Sequence, residues 1–372
     1  MKEQILVLVA DYPTNEGHNA LTYVHTRNIY YQSVGLNVDV INFKAKNNYN
    51  IDGVNVFTKT YLETKINNFE YNILICHAPN IRNHLLFLLK YSTKFKNIIF
   101  FFHGHEVLIC NKVYSNPYPY AINKNMDTKV NYFIKNLYDY VKVFIWGKYY
   151  KKIAFKSNFV FVSNWMKREF FKWTGINESR INGRTHIIYN TVGRIFEEEN
   201  YNPGTDKAYD FITIRGNLDG SKYCVDLVND LAKANPEYSF LVIGKGEFFS
   251  HYEKAENLQW VDAHLNHEEI VEYLNKSRYA LMPTRTDAQG LMMCEMATFG
   301  IPVITSDIPV CHEVLDDFEN VAFIDNDNQN ADLSQIIEKL TDKVPYPKNS
   351  KYFAANTVQK EVDLINELIQ KE

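Results

Sequence analysis

The sequence predicts an α/β protein made of two doubly wound halves, and three observations carry that prediction. Apolar runs of strand length alternate with helical patterns along most of the chain, as in parallel sheets covered on both faces. The chain has 372 residues, more than a single core usually serves. A polar stretch at Glu197–Lys207, EEENYNPGTDK, contains Pro and Gly and reads as a linker.

The elements follow in order. Ile5–Ala10 reads as a buried strand, Asn19–Gly35 as a helix closed by its glycine, and Leu36–Phe43 as a second strand. Tyr71–Cys76 and Asn97–Phe102 are further strands, separated by a helix around Arg82–Tyr91. Residues 110–157 break this rhythm with a Tyr-, Phe- and Lys-rich stretch whose second half is helical in pattern. Asn158–Ser163 and His186–Tyr189 return to strand, around a helix at Trp165–Trp173. Beyond the linker, strands are expected at Phe211–Ile214, Ser239–Ile243, Leu258–Val261, Tyr279–Met282 and Pro302–Thr305. Helices are expected at Ser221–Ala234, His267–Asn275, Leu291–Thr298, Ala331–Lys339 and Tyr352–Gln370. The expected domains are 1–196 and 205–351, with a cleft between them, and the helix at 352–372 packs back on the first.

Composition excludes several classes. Hydrophobic residues at 46% and charged residues at 23% suit a globular protein, and 15% aromatic content excludes a disordered or collagen-like chain. A formal charge of -4 supplies no global field for nucleic acid. Cys76, Cys110, Cys224, Cys294 and Cys311 form no CxxC pair, which argues against a disulfide framework or a structural zinc site and fits a reducing cytoplasm. The apolar run within residues 1–10 is too short for a secretory leader, and the stretch around Ile98–Ile109 is too short and too polar to span a bilayer.

The strongest chemical signal is PTRTDAQGLMMCEMATFGIPVIT, Pro283–Thr305, directly after a predicted strand. Gly290 and Leu291 open a helix there, and free N–H groups at a helix start form an anion site. Gly290 lets a phosphate approach the backbone. Glu295, about one turn in, can reach a ribose diol, and Asp287 lies on the same rim. A second signal is IRGNLDGSKY, Ile214–Tyr223, where Lys222 brings a point charge to a helix start. Alternate strand residues share a face, so Arg215 and Asn217 point the same way. A third is Gly244-Lys245-Gly246 after a strand, a weak pattern by itself that also suits a plain tight turn.

These segments resemble the signature of family 4 glycosyltransferases, retaining enzymes of the GT-B fold. Pro283, Gly290, Leu291, Glu295, Met296, Ala297, Gly300, Pro302, Val303 and Ile304 match that signature, and Asp287 stands where the family has Glu. Gly216, Leu218 and Lys222 match the family's diphosphate-gripping segment, while Asn217 stands in place of its arginine. Arg215 is the candidate to supply the missing guanidinium. His103, in Phe102–Glu106, sits where the family places a histidine facing the cleft, and the loop at Asp11–Ala20 offers Gly17 and His18.

The resemblance implies the GT-B fold and a hexosyl or N-acetylhexosaminyl transfer from a nucleotide-diphosphate sugar, such as a UDP-sugar, to a glycan or lipid-linked acceptor. It implies no metal and no other cofactor. Asp287 and His103 would act at the sugar. Arg215, Asn217, Lys222, Gly244, Gly290, Leu291 and Glu295 would hold the donor. Cell-surface polysaccharide synthesis in a bacterial cytoplasm is the expected setting. A sugar-nucleotide epimerase, a phosphorylase and a non-catalytic nucleotide-sugar-binding protein remain open alternatives. Tyr138–Lys156, with Phe144, Trp146, Tyr149, Tyr150 and five lysines, suits either a helix on the inner membrane surface or an ordinary amphipathic helix with its aromatics in the core.

Overall fold

The computed structural model describes residues 4–18, 20–65, 71–123, 126–341 and 344–370. The chain divides into two compact units. Unit 1 is Met1–Ile109, Tyr138–Thr191 and Phe353–Glu372, and unit 2 is Cys110–Leu137 and Val192–Tyr352.

Unit 1 is an eight-stranded sheet. Its strands are β1 (Gln4–Val9), β2 (Asn37–Asn42), β3 (Tyr49–Ile51), β4 (Val54–Phe57), β5 (Tyr71–His77), β6 (Asn97–Phe102), β7 (Ser157–Phe161) and β8 (Thr185–Ile187). They lie in the order β3-β4-β2-β1-β5-β6-β7-β8. The β3/β4 pair is antiparallel and the other pairs are parallel. Ile5–Val9 and Ile98–Phe102 are buried throughout, as strands covered on both faces must be. The helix Thr22–Ser33 begins at Leu21, which takes a left-handed φ of 53°. The expected start at Asn19 lies outside the described residues.

The helix Val358–Gln370 packs Val358, Val362, Leu364, Ile365 and Leu368 into the same core as β1 and β2. A buried polar contact joins it to the helix Thr22–Ser33. Arg27 Nε donates to Glu361 Oε1 at 2.9 Å, Arg27 Nη2 donates to Asn190 Oδ1 at 2.8 Å, and Tyr31 donates its hydroxyl to Glu361.

Unit 2 is a six-stranded, all-parallel sheet of β9 (Tyr209–Asn217), β10 (Phe240–Lys245), β11 (Leu258–Val261), β12 (Ser277–Leu281), β13 (Val303–Ser306) and β14 (Val321–Ile324). Its order is β11-β10-β9-β12-β13-β14. Residues 110–137 and 192–196 fall in unit 2, although the sequence reading groups them with the first half. The aromatic contacts of Tyr118 explain the first assignment. Its ring lies 5.0 Å from that of Phe248, in the unit 2 core, and 5.9 Å from that of Tyr252 at its edge.

Candidate functional site

The winding of the unit 2 sheet reverses between β9 and β12. In open parallel sheets ligands bind outside the carboxyl ends of the strands at such a switch point. The sequence motifs at Ile214–Tyr223 and Pro283–Thr305 occupy those ends.

Arg215, near the end of β9, reaches across to the neighbouring strand end. Its Nη2 donates to the Pro283 carbonyl at 2.6 Å. The residue is 8% exposed, and its Nε has no hydrogen-bond partner among the described residues. Burial pushes its pKa down, against the favourable charges of Cys224 and Asp287. A guanidinium nevertheless stays protonated. The result is a buried cation with a neutral carbonyl as its hydrogen-bond partner, an arrangement that costs stability unless an anion joins it.

Lys222 lies on the short turn Ser221–Tyr223. Its ammonium is 5.2 Å from the Tyr114 ring centre and 4.7 Å from that of Tyr223. The turn is pinned from the β12 side. Arg285 donates its backbone N–H to the Lys222 carbonyl at 2.8 Å, and Thr284 Oγ1 donates to the same oxygen at 3.0 Å. Arg285 Nη1 donates to the Ser221 carbonyl at 2.6 Å. A three-centre contact therefore fixes where the Lys222 side chain starts.

Asn217 is exposed and is used locally. Its Oδ1 accepts the Asp219 N–H at 2.8 Å and closes the turn after β9. Gly244 is explained by close approach. A Cβ there would overlap the Arg215 carbonyl oxygen, so only glycine lets β10 run this near β9. Asp287 is half-buried, its Oδ1 accepts the Ala288 N–H at 2.7 Å, and its charge acts on Arg215.

The loop ends at Gly290, whose φ of 70° suits glycine, and the helix Leu291–Phe299 starts there without a side-chain cap. The N–H groups of Leu291 and Met292 remain a ready donor set, whereas those of Met293 and Cys294 already donate to the Gly290 carbonyl at 3.0 and 3.2 Å.

Glu295 follows a little over one turn into that helix. It is 3% exposed, and its Oε1 accepts the Gly193 N–H at 3.1 Å. Burial raises its pKa to about 7, against the lowering effect of that bond. His267 Nε2 stands 3.8 Å from the same oxygen, and burial lowers the pKa of that imidazole. The sequence places His267 at a helix start and gives it no role at the site. Its only sequence signal is its place one residue after the Asn266 cap of a helix.

A second feature escaped the sequence reading. The segment after Cys110 lies against the loop and helix start that follow β9 in unit 2. Ser115 and Ser221 exchange a hydroxyl hydrogen bond at 2.8 Å. Tyr118 donates to Asp226 Oδ1 at 2.9 Å, and Tyr120 donates to Asp219 Oδ1 at 2.6 Å. Asp226 also receives Arg285 Nη1 and Nη2, at 3.0 and 2.7 Å.

In unit 1, His103 follows β6. Its ring lies 4.7 Å from Tyr23 and 5.4 Å from His77, and its Nε2 is 3.1 Å from His77 Nδ1. Burial and then the charge of Arg27 hold its pKa well below the ordinary value, so it is neutral at neutral pH. A neutral imidazole can offer or accept a hydrogen bond but carries no charge.

Gly17 and His18 lie in the loop after β1, and His18 stands 3.1 Å from Asp11. Asp11, His18, Lys44 and Tyr49 line a groove of about 770 Å³ at the carboxyl ends of β1 and β2. Burial opposes ionisation of Asp11, but hydrogen bonds from Lys44, His18 and the Tyr12 N–H outweigh it and lower its pKa. Among the described residues no group of three or more His, Cys, Asp and Glu side chains could hold a metal ion.

The family described as glycosyl transferases group 1 matches residues 195–357. An uncharacterized glycosyltransferase of Methanocaldococcus jannaschii is 22% identical over 210 residues, 53% of this chain and 54% of the relative, so the match spans about half of that protein. An uncharacterized 41.2 kDa protein in the cps region of Klebsiella pneumoniae is 24% identical over 281 residues, 71% of this chain and 72% of the relative.

Three solved structures share the fold. Sucrose-phosphate synthase from Thermosynechococcus elongatus has a TM-score of 0.69 at 12% identity, with 100% of both chains covered. Anabaena HepE in complex with UDP and glucose has a TM-score of 0.65 at 12% identity, again with 100% of both chains covered. WaaG, a glycosyltransferase involved in lipopolysaccharide biosynthesis, has a TM-score of 0.63 at 13% identity, covering 97% of this chain and 99% of that one. The chain thus has the GT-B fold of these structures, and its residues 195–357 match the family described as glycosyl transferases group 1.

Proposed function

We propose that the protein is a retaining glycosyltransferase that moves a hexose-type sugar from a nucleotide-diphosphate sugar to a glycan or lipid-linked acceptor in surface-polysaccharide synthesis. The observation that carries this reading is Arg215, a buried guanidinium with an unpartnered Nε at the β9/β12 switch point. The donor's diphosphate is the anion that satisfies it. Lys222 and the N–H groups after Gly290 add to the same charge stabilisation, which counts most where negative charge develops on the leaving group. Glu295 holds the ribose, and Asp287 orients the sugar. The presence of UDP and glucose in HepE supports UDP as the first nucleotide to try.

In this reading the bond from the sugar C1 to the phosphate oxygen breaks, and a bond from C1 to the acceptor oxygen forms on the same face. The acceptor's hydroxyl proton passes to the leaving phosphate. Cationic side chains carry the electrostatic work, so turnover is expected to survive EDTA.

Incubation of the purified chain with a panel of UDP-, GDP- and ADP-sugars and glycan acceptors, read by mass spectrometry and by the anomeric configuration of the product, tests this. A new glycoside with the donor's configuration is the expected result. An inverted product refutes the retaining mechanism. A changed sugar nucleotide without acceptor points to an epimerase, and nucleotide binding without any turnover to a non-catalytic protein.

A further inference from the structure

The helix Met126–Ile153 leaves a face uncovered within unit 1. Its core side is filled: Trp146 and Tyr150 stack at 4.8 Å, and Tyr150 meets Phe100 at 5.0 Å. These are the aromatics that an ordinary amphipathic helix would bury. Others point outward. Tyr138, Tyr140, Val141 and Phe144 are exposed, Phe144 to 65%, and Phe155, just after the helix, to 72%. Isolated exposed apolar residues are common, but a continuous group of this size is not.

The charges on the same stretch have one sign. Asp139 is buried and paired with the buried Lys142 at 2.7 Å. The charged side chains exposed between residues 138 and 156 are Lys148, Lys151 and Lys152. Lys148 lies 5.5 Å from the Phe144 ring centre. This local sign runs against the chain's net charge of -4.

A groove of about 440 Å³ separates the helix from the helix Asn164–Thr174, lined by Phe144, Lys148, Lys151, Lys172 and Trp173. Gly147 forms its floor, because a Cβ there would overlap the Thr174 carbonyl. Aromatic rings interleaved with lysine ammoniums match the boundary of an anionic bilayer, where rings enter the headgroup layer and ammoniums meet phosphates. No helix among the described residues is long and apolar enough to cross a membrane.

We infer that this face of unit 1, centred on Phe144, Phe155, Lys148, Lys151 and Lys152, docks the protein on a membrane surface rich in anionic lipid. Its charge complementarity selects a bilayer over a second copy of the chain, since pairing two such faces would set lysine against lysine. The inference stands apart from the sugar-transfer reading and uses none of its residues.

Vesicle sedimentation of the full chain tests it, with phosphatidylcholine alone and with roughly one-third phosphatidylglycerol. Each lysine near an anionic surface is worth about five-fold in binding, so Lys148→Gln/Lys151→Gln/Lys152→Gln should weaken it about a hundred-fold. Phe144→Ser/Phe155→Ser should weaken it at least ten-fold while leaving circular dichroism and nucleotide-induced thermal shifts unchanged. Binding to the anionic vesicles that falls with added salt is the expected result. Absence of binding at low salt, or equal binding by the Phe144→Ser/Phe155→Ser variant, overturns the inference. So does self-association in solution that the same substitutions abolish without any vesicle binding.

Discussion

Arg215 Nη2 donates to the Pro283 carbonyl at 2.6 Å and so links the ends of β9 and β12 at the point where the sheet reverses. Its Nε stays unpartnered in a buried setting. Two effects of Arg215→Met follow, with opposite signs. Removing a buried cation relieves a desolvation penalty, which offsets the lost bond to Pro283, so the unliganded protein should lose no more than about 1 kcal/mol. Donor or nucleoside-diphosphate affinity should fall roughly 10- to 100-fold, the value of a hydrogen bond to a charged group. Chemical denaturation and calorimetric titration read the two effects separately. Unchanged affinity would remove Arg215 from the donor site.

The carboxyl of Glu295 should make stability depend on pH. Burial raises its folded pKa to about 7, above the unfolded value near 4.5. Between those values the folded state binds the extra proton, so stability falls as pH rises from about 4.5 to 7 and then levels off. The contribution is on the order of 3 kcal/mol. Glu295→Gln keeps an oxygen for the Gly193 N–H and removes the titration. Its denaturation midpoint should be flatter over this range and should exceed that of the parent at pH 8. An unaltered pH profile would show that Glu295 is not the group responsible.

The central strands were legible because a strand buried on both faces needs a continuous apolar run. Ile5–Val9, Phe240–Ile243 and Val303–Ile304 are such runs, buried throughout. Edge and outer strands lack that constraint. Val54–Phe57 alternates buried and exposed residues, Tyr49–Ile51 has three residues, and Val321–Phe323 is only half-buried. The first two offer no continuous apolar run, whereas the third reads VAFI, a run of only four residues. The site followed the same logic. Gly290 and Lys222 declare themselves through backbone and charge requirements at one place in the chain, whereas the Tyr118 and Tyr120 contacts join residues 108 and 99 positions apart.

Those distant contacts yield a third prediction. Asp226 receives Arg285 and Tyr118, and Arg285 holds the Ser221 carbonyl. Tyr118→Phe keeps the ring among Phe248 and Tyr252 and deletes only the hydroxyl. A hydrogen bond to a carboxylate is worth about 1.5–3 kcal/mol, and this one is partly exposed, so the lower end applies. Melting should fall by about 3–6 °C. Nucleotide affinity should fall by less than in Arg215→Met, because the Lys222 turn keeps its bonds to Thr284 and to the Arg285 backbone. Melting equal to the parent would place the Tyr118 hydroxyl outside the network.

The contact between Arg27 and Glu361 gives the last prediction. Both side chains are essentially fully buried, at 0% and 1% exposure, with Arg27 Nε 2.9 Å from Glu361 Oε1. Glu361 lies on the helix Val358–Gln370, whose apolar side chains Val358, Val362 and Ile365 share a core with β1 and the helix Thr22–Ser33. Arg27→Met leaves a carboxylate buried with Tyr31 as its remaining partner, which should cost about 3–5 kcal/mol. Burial already raises the pKa of Glu361 against the lowering effect of Arg27, so the single variant should bind a proton there and recover part of the loss in acid. Arg27→Met/Glu361→Leu removes both charges and should regain most of the stability. Equal destabilisation by the single and the double variant would show that the pair acts through packing volume and not through charge.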